Sequence, residues 1–272
     1  MKILVAGAGG FIGGFLVKSL LADGHTVFAA DIKPISSWWQ VSDCNNFQLN
    51  LEDSTACDQV SAVDHIYNLA CNMGGIGFIE NNKSTCMFSA LINTNLLRSA
   101  IKNGVKRYFF ASTACIYNID KQSSTNTFVA LKETDAHPAK PERGYGWEKL
   151  FAEQLCLEVA NEGLIETRIA RFHNVYGSHG AWSGGREKAP AALCRKIAES
   201  KIKNKREIGE SDVQHGENKR EIKEPQENTR EITEHEETNR ESEEKNSQGN
   251  GQGTAEFLSK INSTSKNLGH NH

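Results

Sequence analysis

The chain is poor in apolar residues. Only 38% of its 272 residues are hydrophobic and 8% aromatic, and the mean hydropathy is −0.52. No apolar run reaches the roughly 20 residues needed to span a bilayer, so a membrane protein is not expected. Neither sign of charge dominates: 31 Lys+Arg against 34 Asp+Glu leave −3. A generally basic nucleic-acid binder is therefore not expected either. The seven cysteines, at 44, 57, 71, 86, 115, 156 and 194, include no C-x-x-C pair. Their odd number and irregular spacing suggest neither a disulfide framework nor a metal site. Reduced thiols in a cytoplasmic protein fit best. Uncharged Ile3–Val17 follows Met1-Lys2, but Gly7, Gly9, Gly10, Gly13 and Gly14 interrupt it, which argues against a signal peptide.

The apolar deficit is concentrated. From Glu199 to Gln248, 15 acidic and 10 basic residues make half of 50 positions charged. No Phe, Tyr or Trp occurs between Trp182 and Phe257, and a degenerate repeat runs through residues 204–208, 218–222 and 228–232. One isoleucine per repeat makes no coiled-coil seam and buries too little to offset the entropy of ordering. Two regions follow: a domain over 1–200 and a low-complexity charged tail over 201–272, disordered or transiently helical.

The front portion alternates strand and helix patterns. Lys2–Ala6 is a short apolar run suited to a strand buried on both faces. His25–Ala30, Phe47–Leu51, Asp64–Ala70, Arg107–Ser112 and Glu166–Phe172 read as further strands. Helical spacing occupies Phe11–Leu21, Ser84–Asn103, Tyr145–Glu162 and Lys188–Ser200. Such alternation predicts an α/β fold, a Rossmann-like doubly wound parallel sheet with right-handed crossovers.

Gly7, Gly10 and Gly13 stand at G-x-x-G-x-x-G spacing, after a strand and opening a helix, with Phe11 and Ile12 inside the turn. Glycine lets the backbone approach a pyrophosphate, and the helix N-terminus offers it unpaired N–H groups. Asp31 closes the second strand, where a carboxylate accepts from a ribose 2′-hydroxyl; this favours NAD over NADP. Tyr145 and Lys149 lie four apart, on one helix face. A nearby ammonium and a positive nicotinamide would depress the tyrosine pKa and let it act as a base. Ser112-Thr113 ends the preceding strand at the sheet's carboxyl edge, where ligands bind.

Longer strings carry a resemblance. VAGAGGFIGG (5–14), NLACNMGGIGFIENNKS (68–84), FFASTACIYN (109–118), YGWEKL (145–150), RFHNVYG (171–177) and GGREKAPAALCRK (184–196) resemble the extended short-chain dehydrogenase/reductase family. Within it they are most similar to the GDP-mannose 3,5-epimerases of the NAD-dependent epimerase/dehydratase group. The resemblance covers about Lys2 to Ile197. It implies NAD as cofactor and a nucleotide sugar, GDP-mannose, as substrate. The sugar would be oxidised transiently at C4, exchange protons at C3 and C5, and be reduced again, as in ascorbate biosynthesis. By similarity Tyr145 is the base at C4, Thr113 aligns the hydroxyl, and Lys149 holds the nicotinamide ribose. Cys115 and Lys188 form the acid–base pair for the ring carbons. Gly74, Ala114, Asn174, Glu187, Ala189 and Lys196 match substrate-contacting positions. A homodimer is left open.

Asn50 stands where the family carries an aspartate to the adenine amino group; its amide oxygen can still accept that bond. Asn72 likewise replaces an aspartate, Thr113 a serine, and Ser178 a proline. The family continues past residue 196 with a further strand and most of a substrate domain, expected here to be largely absent. The alternative is therefore an impaired NAD-binding remnant serving as an interaction module.

Overall fold

A computed structural model of the chain describes residues 1–122 and 130–216. They form two compact units, Met1–Arg195 and Lys196–His272, the second described only to Gly216. The first unit is built on six strands: β1 (Lys2–Ala6), β2 (Thr26–Asp31), β3 (Asn45–Gln48), β4 (His65–Asn68), β5 (Arg107–Thr113) and β6 (Glu166–Phe172). All pair in parallel in the order β3-β2-β1-β4-β5-β6, the doubly wound sheet expected. Every strand therefore ends at the same edge, and the order reverses between β1 and β4. That reversal splits the crossovers to opposite faces and opens a crevice at the carboxyl edge.

The helices of this unit are α1 (Phe11–Ala22), α2 (Ser54–Val60), α3 (Ile76–Asn81), α4 (Lys83–Lys102), α5 (Ile119–Gln122) and α6 (Tyr145–Asn161). Side chains alternate along a strand, so Leu4 and Ala6 of β1 share one face with Ile66, Tyr108 and Phe110. That face packs on Cys57, Ile92, Leu96, Ala152 and Cys156 from α2, α4 and α6, the main core. α1 packs on β1 and β2, burying Leu16, Val17 and Leu20. Across α4 and α6, Met87, Phe88, Leu91, Trp147 and Phe151 stay exposed. All seven cysteines are free. No helix among the described residues is long and apolar enough to cross a membrane.

One ion pair locks β6 to α6. Arg171 Nε and Nη2 donate to the Glu153 carboxylate at 2.9–3.2 Å, and Nη1 donates to the Glu133 carbonyl at 2.7 Å. Its guanidinium lies 5.2 Å from the centre of the Tyr117 ring.

The last helix differs from expectation. α7 runs from Ala189 to Gly216, beyond the Ser200 end that the apolar pattern predicts. Lys, Arg and Glu are good helix formers, so helical backbone continues where apolar periodicity has stopped. The rest of the charged tail, 217–272, lies outside the described residues.

Candidate active site

A cleft of about 780 Å³ opens at the carboxyl edge of the sheet. Gly7, Gly10, Phe11, Ile12, Gly13, Asp31 and Asn50 line one end; Gly74, Thr113, Ala114, Cys115, Tyr145, Asn174 and Lys188 line the other. Lys149 lies behind this wall. Glu187 and Ala189 are not on it, and Lys196 belongs to the second unit.

At the first end, α1 begins after Gly10 with neither a side-chain cap nor an acidic residue in its first turn. Its leading amides are therefore open to an anion. A Cβ on Gly13 would come within 2.1 Å of the Gly7 carbonyl, so the turn closes this tightly only with glycine there. Asp31 is nearly buried and accepts from the Lys33 backbone N–H at 3.0 Å through Oδ1. Two indoles unforeseen in the sequence brace the same turn. Trp39 Nε1 donates to the Gly10 carbonyl at 3.2 Å, and Trp38 Nε1 to that of Lys33 at 3.1 Å. A Cβ on Gly9 or Gly14 would lie 2.5 Å from Trp38 or Trp39 respectively. Those two glycines, outside the phosphate-turn spacing, make room for tryptophan.

At the other end, Tyr145 and Lys149 open α6, with relative exposures of 4% and 2%. Lys149 Nζ donates to the Ala111 carbonyl of β5 at 3.2 Å and lies 5.8 Å from the Tyr145 ring centre. Burial works against this ammonium, but the thiol of Cys71 and the carboxyl of Glu148 outweigh it and raise its pKa. Thr113 Oγ1 accepts from the Cys115 N–H at 3.3 Å. Burial, reinforced by Cys71, Cys115 and Glu148, pushes the Tyr145 phenol far up. This reverses the downward shift expected from the Tyr–Lys pairing: desolvation of the phenolate wins. Ser112 Oγ, at the cleft, is buried with no hydrogen-bond partner.

The Cys115 backbone is clamped to the start of α6. Glu142 N–H donates to its carbonyl at 3.0 Å, and a Cβ on Gly146 would meet that oxygen at 2.4 Å. Its thiol is pushed up to about 11, first by burial and then by a hydrogen bond to the Glu142 side chain; Lys188 acts in the opposite sense. Lys188 Nζ donates to the Gly74 carbonyl at 3.0 Å, and Arg186 Nη1 to that of Met73 at 3.2 Å. The 186–188 segment is thus pinned to the loop after β4. Glu187 pairs with Arg195 at 3.4 Å, and its Oε2 is buried without a partner.

Sequence reasoning missed Glu148, 3% exposed, one turn from Tyr145, with neither carboxylate oxygen hydrogen-bonded. Burial raises its pKa, only partly offset by Lys149. An acid so raised stabilises the fold below the ordinary carboxylate range and loses that contribution as pH rises through its own pKa. Glu148→Gln should therefore reduce the fall in unfolding free energy between pH 4 and pH 7. Parallel urea titrations of both proteins would check this; identical pH dependence would refute it.

The profile of the NAD dependent epimerase/dehydratase family matches residues 3–222. The chain belongs to that family. It is 47% identical over 203 residues to GDP-mannose 3,5-epimerase 1 of Oryza sativa subsp. indica, covering 74% of this chain and 53% of that one. The same identity and coverage of this chain hold for GDP-mannose 3,5-epimerase of Arabidopsis thaliana, at 54% of its length. The chain thus spans about half the length of these curated relatives. In fold it is similar to UDP-glucose 4-epimerase of Thermotoga maritima, with a TM-score of 0.60, 23% identity, and coverage of 69% of this chain and 60% of that one. A family named for NAD accords with the cofactor expected from the glycine turn and Asp31.

Proposed function

We propose that the chain carries the catalytic half of a GDP-mannose 3,5-epimerase. The carrying observation is that Tyr145, Thr113, Cys115 and Lys188 face one cleft whose other end is the glycine turn and Asp31. The residues fit NAD. The uncapped start of α1 and Gly10 receive its pyrophosphate, Asp31 its adenosine ribose, and Asn50 its adenine. The unpartnered Ser112 Oγ lies at the end of the cleft that would take its nicotinamide, with Lys149 held behind that wall by the Ala111 carbonyl. When bound, NAD supplies a hydride acceptor at sugar C4 and a hydride donor for the return. Tyr145 takes the proton of the C4 hydroxyl, which Thr113 orients. The raised Tyr145 phenol requires added positive charge beside it, which Lys149 alone does not provide.

A 4-keto sugar has acidified hydrogens at C3 and C5, and inversion there needs proton carriers on both ring faces. Cys115 and Lys188 take those parts, with Gly74 and Asn174 along the sugar's side of the cleft. Glu187, Ala189 and Lys196 remain substrate contacts by resemblance alone. The test is incubation of the full chain with NAD and GDP-mannose in D₂O, with deuterium at C3 and C5 read by NMR. Cys115→Ala should abolish incorporation while sparing NAD affinity. No incorporation by the unaltered chain despite measurable NAD binding would overturn the reading and leave an NAD-binding module.

A further inference from the structure

The segment that leaves β6 crosses the carboxyl edge of the sheet and is fastened at its far end by two stacked rings. β6 is an edge strand, and β1, which feeds α1, lies three strands away, with β2 beyond it. At the usual spacing of neighbouring strands that is a span of about 14 Å. Asn174, Gly177, His179 and Gly180 line the cleft along the way. Gly177 and Gly180 approach Phe11 at the start of α1, where a Cβ on each would stand 3.1 and 3.5 Å from its ring. His179 then stacks on Trp39 from the loop after β2, with ring centroids 4.1 Å apart and planes 11° from parallel.

Trp39 is itself held in place. Its Nε1 donates to the Gly10 carbonyl, the Phe15 ring centre lies 4.8 Å from its own, and Lys18 Nζ sits 4.7 Å from its ring centre. One indole therefore ties the phosphate turn to the segment from β6. His179 is also the one residue other than glycine with a positive φ, 64°, among the described residues. Side chains seldom adopt that conformation, and it persists where the surroundings impose it. The residue is exposed, so core packing does not impose it; the ring contact does.

Resting on the NAD reading of the cleft, we propose that the Trp39–His179 stack is a clasp: it fastens the segment after β6 across the cofactor's end of the cleft and limits how fast NAD enters and leaves. Both rings belong to the chain, so opening the stack is a step common to entry and release. In the proposed reaction the hydride taken from C4 has to return to the same sugar, and slow release of the reduced cofactor keeps the two together. Trp39 and His179 are thus positioning residues.

The experiment is stopped-flow release of NADH from the full chain, displaced by excess NAD and followed by the emission of NADH. His179→Asn removes the ring, and asparagine tolerates the left-handed backbone. Release should quicken by about three- to tenfold, the range that one aromatic pair is worth. Binding should quicken alike and leave Kd within about twofold. His179→Phe restores a ring and should bring release back to within about twofold of the parent. In a Trp39→Leu chain, where the stack is already gone, adding His179→Asn should change release by less than about twofold. The His179 arms decide the matter alone if Trp39→Leu does not fold.

Release less than about twofold faster in His179→Asn overturns the proposal. So does His179→Phe releasing NADH as fast as His179→Asn, because ring stacking is then not what holds the segment. A weakened Kd at an unchanged binding rate also overturns it, and makes His179 a direct contact of the cofactor instead. A parent chain that binds no NADH sinks the NAD reading. The fastening is then decided by hydrogen exchange in the cofactor-free chain: residues 174–180 should exchange about three- to tenfold faster in His179→Asn, and unchanged exchange overturns the clasp as well.

Discussion

If the chain has the proposed epimerase activity, Tyr145→Phe should lower turnover of GDP-mannose by about two to four orders of magnitude, the range supplied by a positioned general base. The hydroxyl is the only atom removed, and the ring remains in the cluster with Ile79 and Cys86, so the fold should persist. NAD affinity should change little, because the glycine turn and Asp31 lie at the other end of the cleft. The loss should appear in kcat and kcat/KM together, as for a group acting in the transition state. Deuterium exchange at C3 and C5 should fall in parallel, since no carbonyl forms at C4 to acidify those hydrogens. Exchange that survives while turnover fails would remove Tyr145 from the start of the sequence of steps.

The second large effect concerns stability. Arg171→Ala should cost about 3–5 kcal/mol, as when one partner of a buried ion pair is removed. The stranded group is Glu153, whose side chain is only 4% exposed against 21% for Arg171. Arg171 also caps the Glu133 carbonyl and covers Tyr117, so the change unfastens β6, α6 and the turn at 133–136 together. Denaturant unfolding of the parent, Arg171→Ala, Glu153→Gln and the double variant would measure the coupling. If the stranded carboxylate dominates, the double variant should be more stable than Arg171→Ala alone. A cost below about 1 kcal/mol for Arg171→Ala would mean that water reaches Glu153 and that the pair behaves as a surface one.

The parts of the fold readable from the sequence are those in which local pattern and tertiary role coincide. β1 and β6 begin and end where their residue patterns do, and α1 and α6 lie within one residue of expectation. α2 was not legible as a period, because seven residues burying only Ala56, Cys57 and Val60 make no stripe. Its signal was the cap: Asp53 Oδ1 accepts from the Thr55 N–H at 2.8 Å. The length of α7 was hidden by giving apolar poverty more weight than helix propensity.

At the site, the glycine turn, Asp31 and the Tyr145–Lys149 spacing are local and could be read directly. Cys115 and Lys188 stood out only through resemblance, since a thiol after a strand or a lysine before a helix is unremarkable by itself. Glu148 was invisible for a different reason. It sits beside a charged lysine, and only its burial separates it from a solvated surface acid. Gly9 and Gly14 did leave a trace: they are surplus to the phosphate turn, and the indoles of Trp38 and Trp39 account for them.

The absent side chain of Gly146 has a wider consequence. With the Cys115 carbonyl 2.4 Å from where a methyl would stand, helix and loop meet at a seam with no slack. The group assigned to C4 and a group assigned to C3 and C5 flank that seam, so the chain's backbone acts as a ruler for positions on a single sugar ring. Adaptation to a bulkier or differently linked sugar would therefore have to remodel other lining residues, such as Asn174, Arg186 and Lys188. Widening the near side would put the two chemistries out of step.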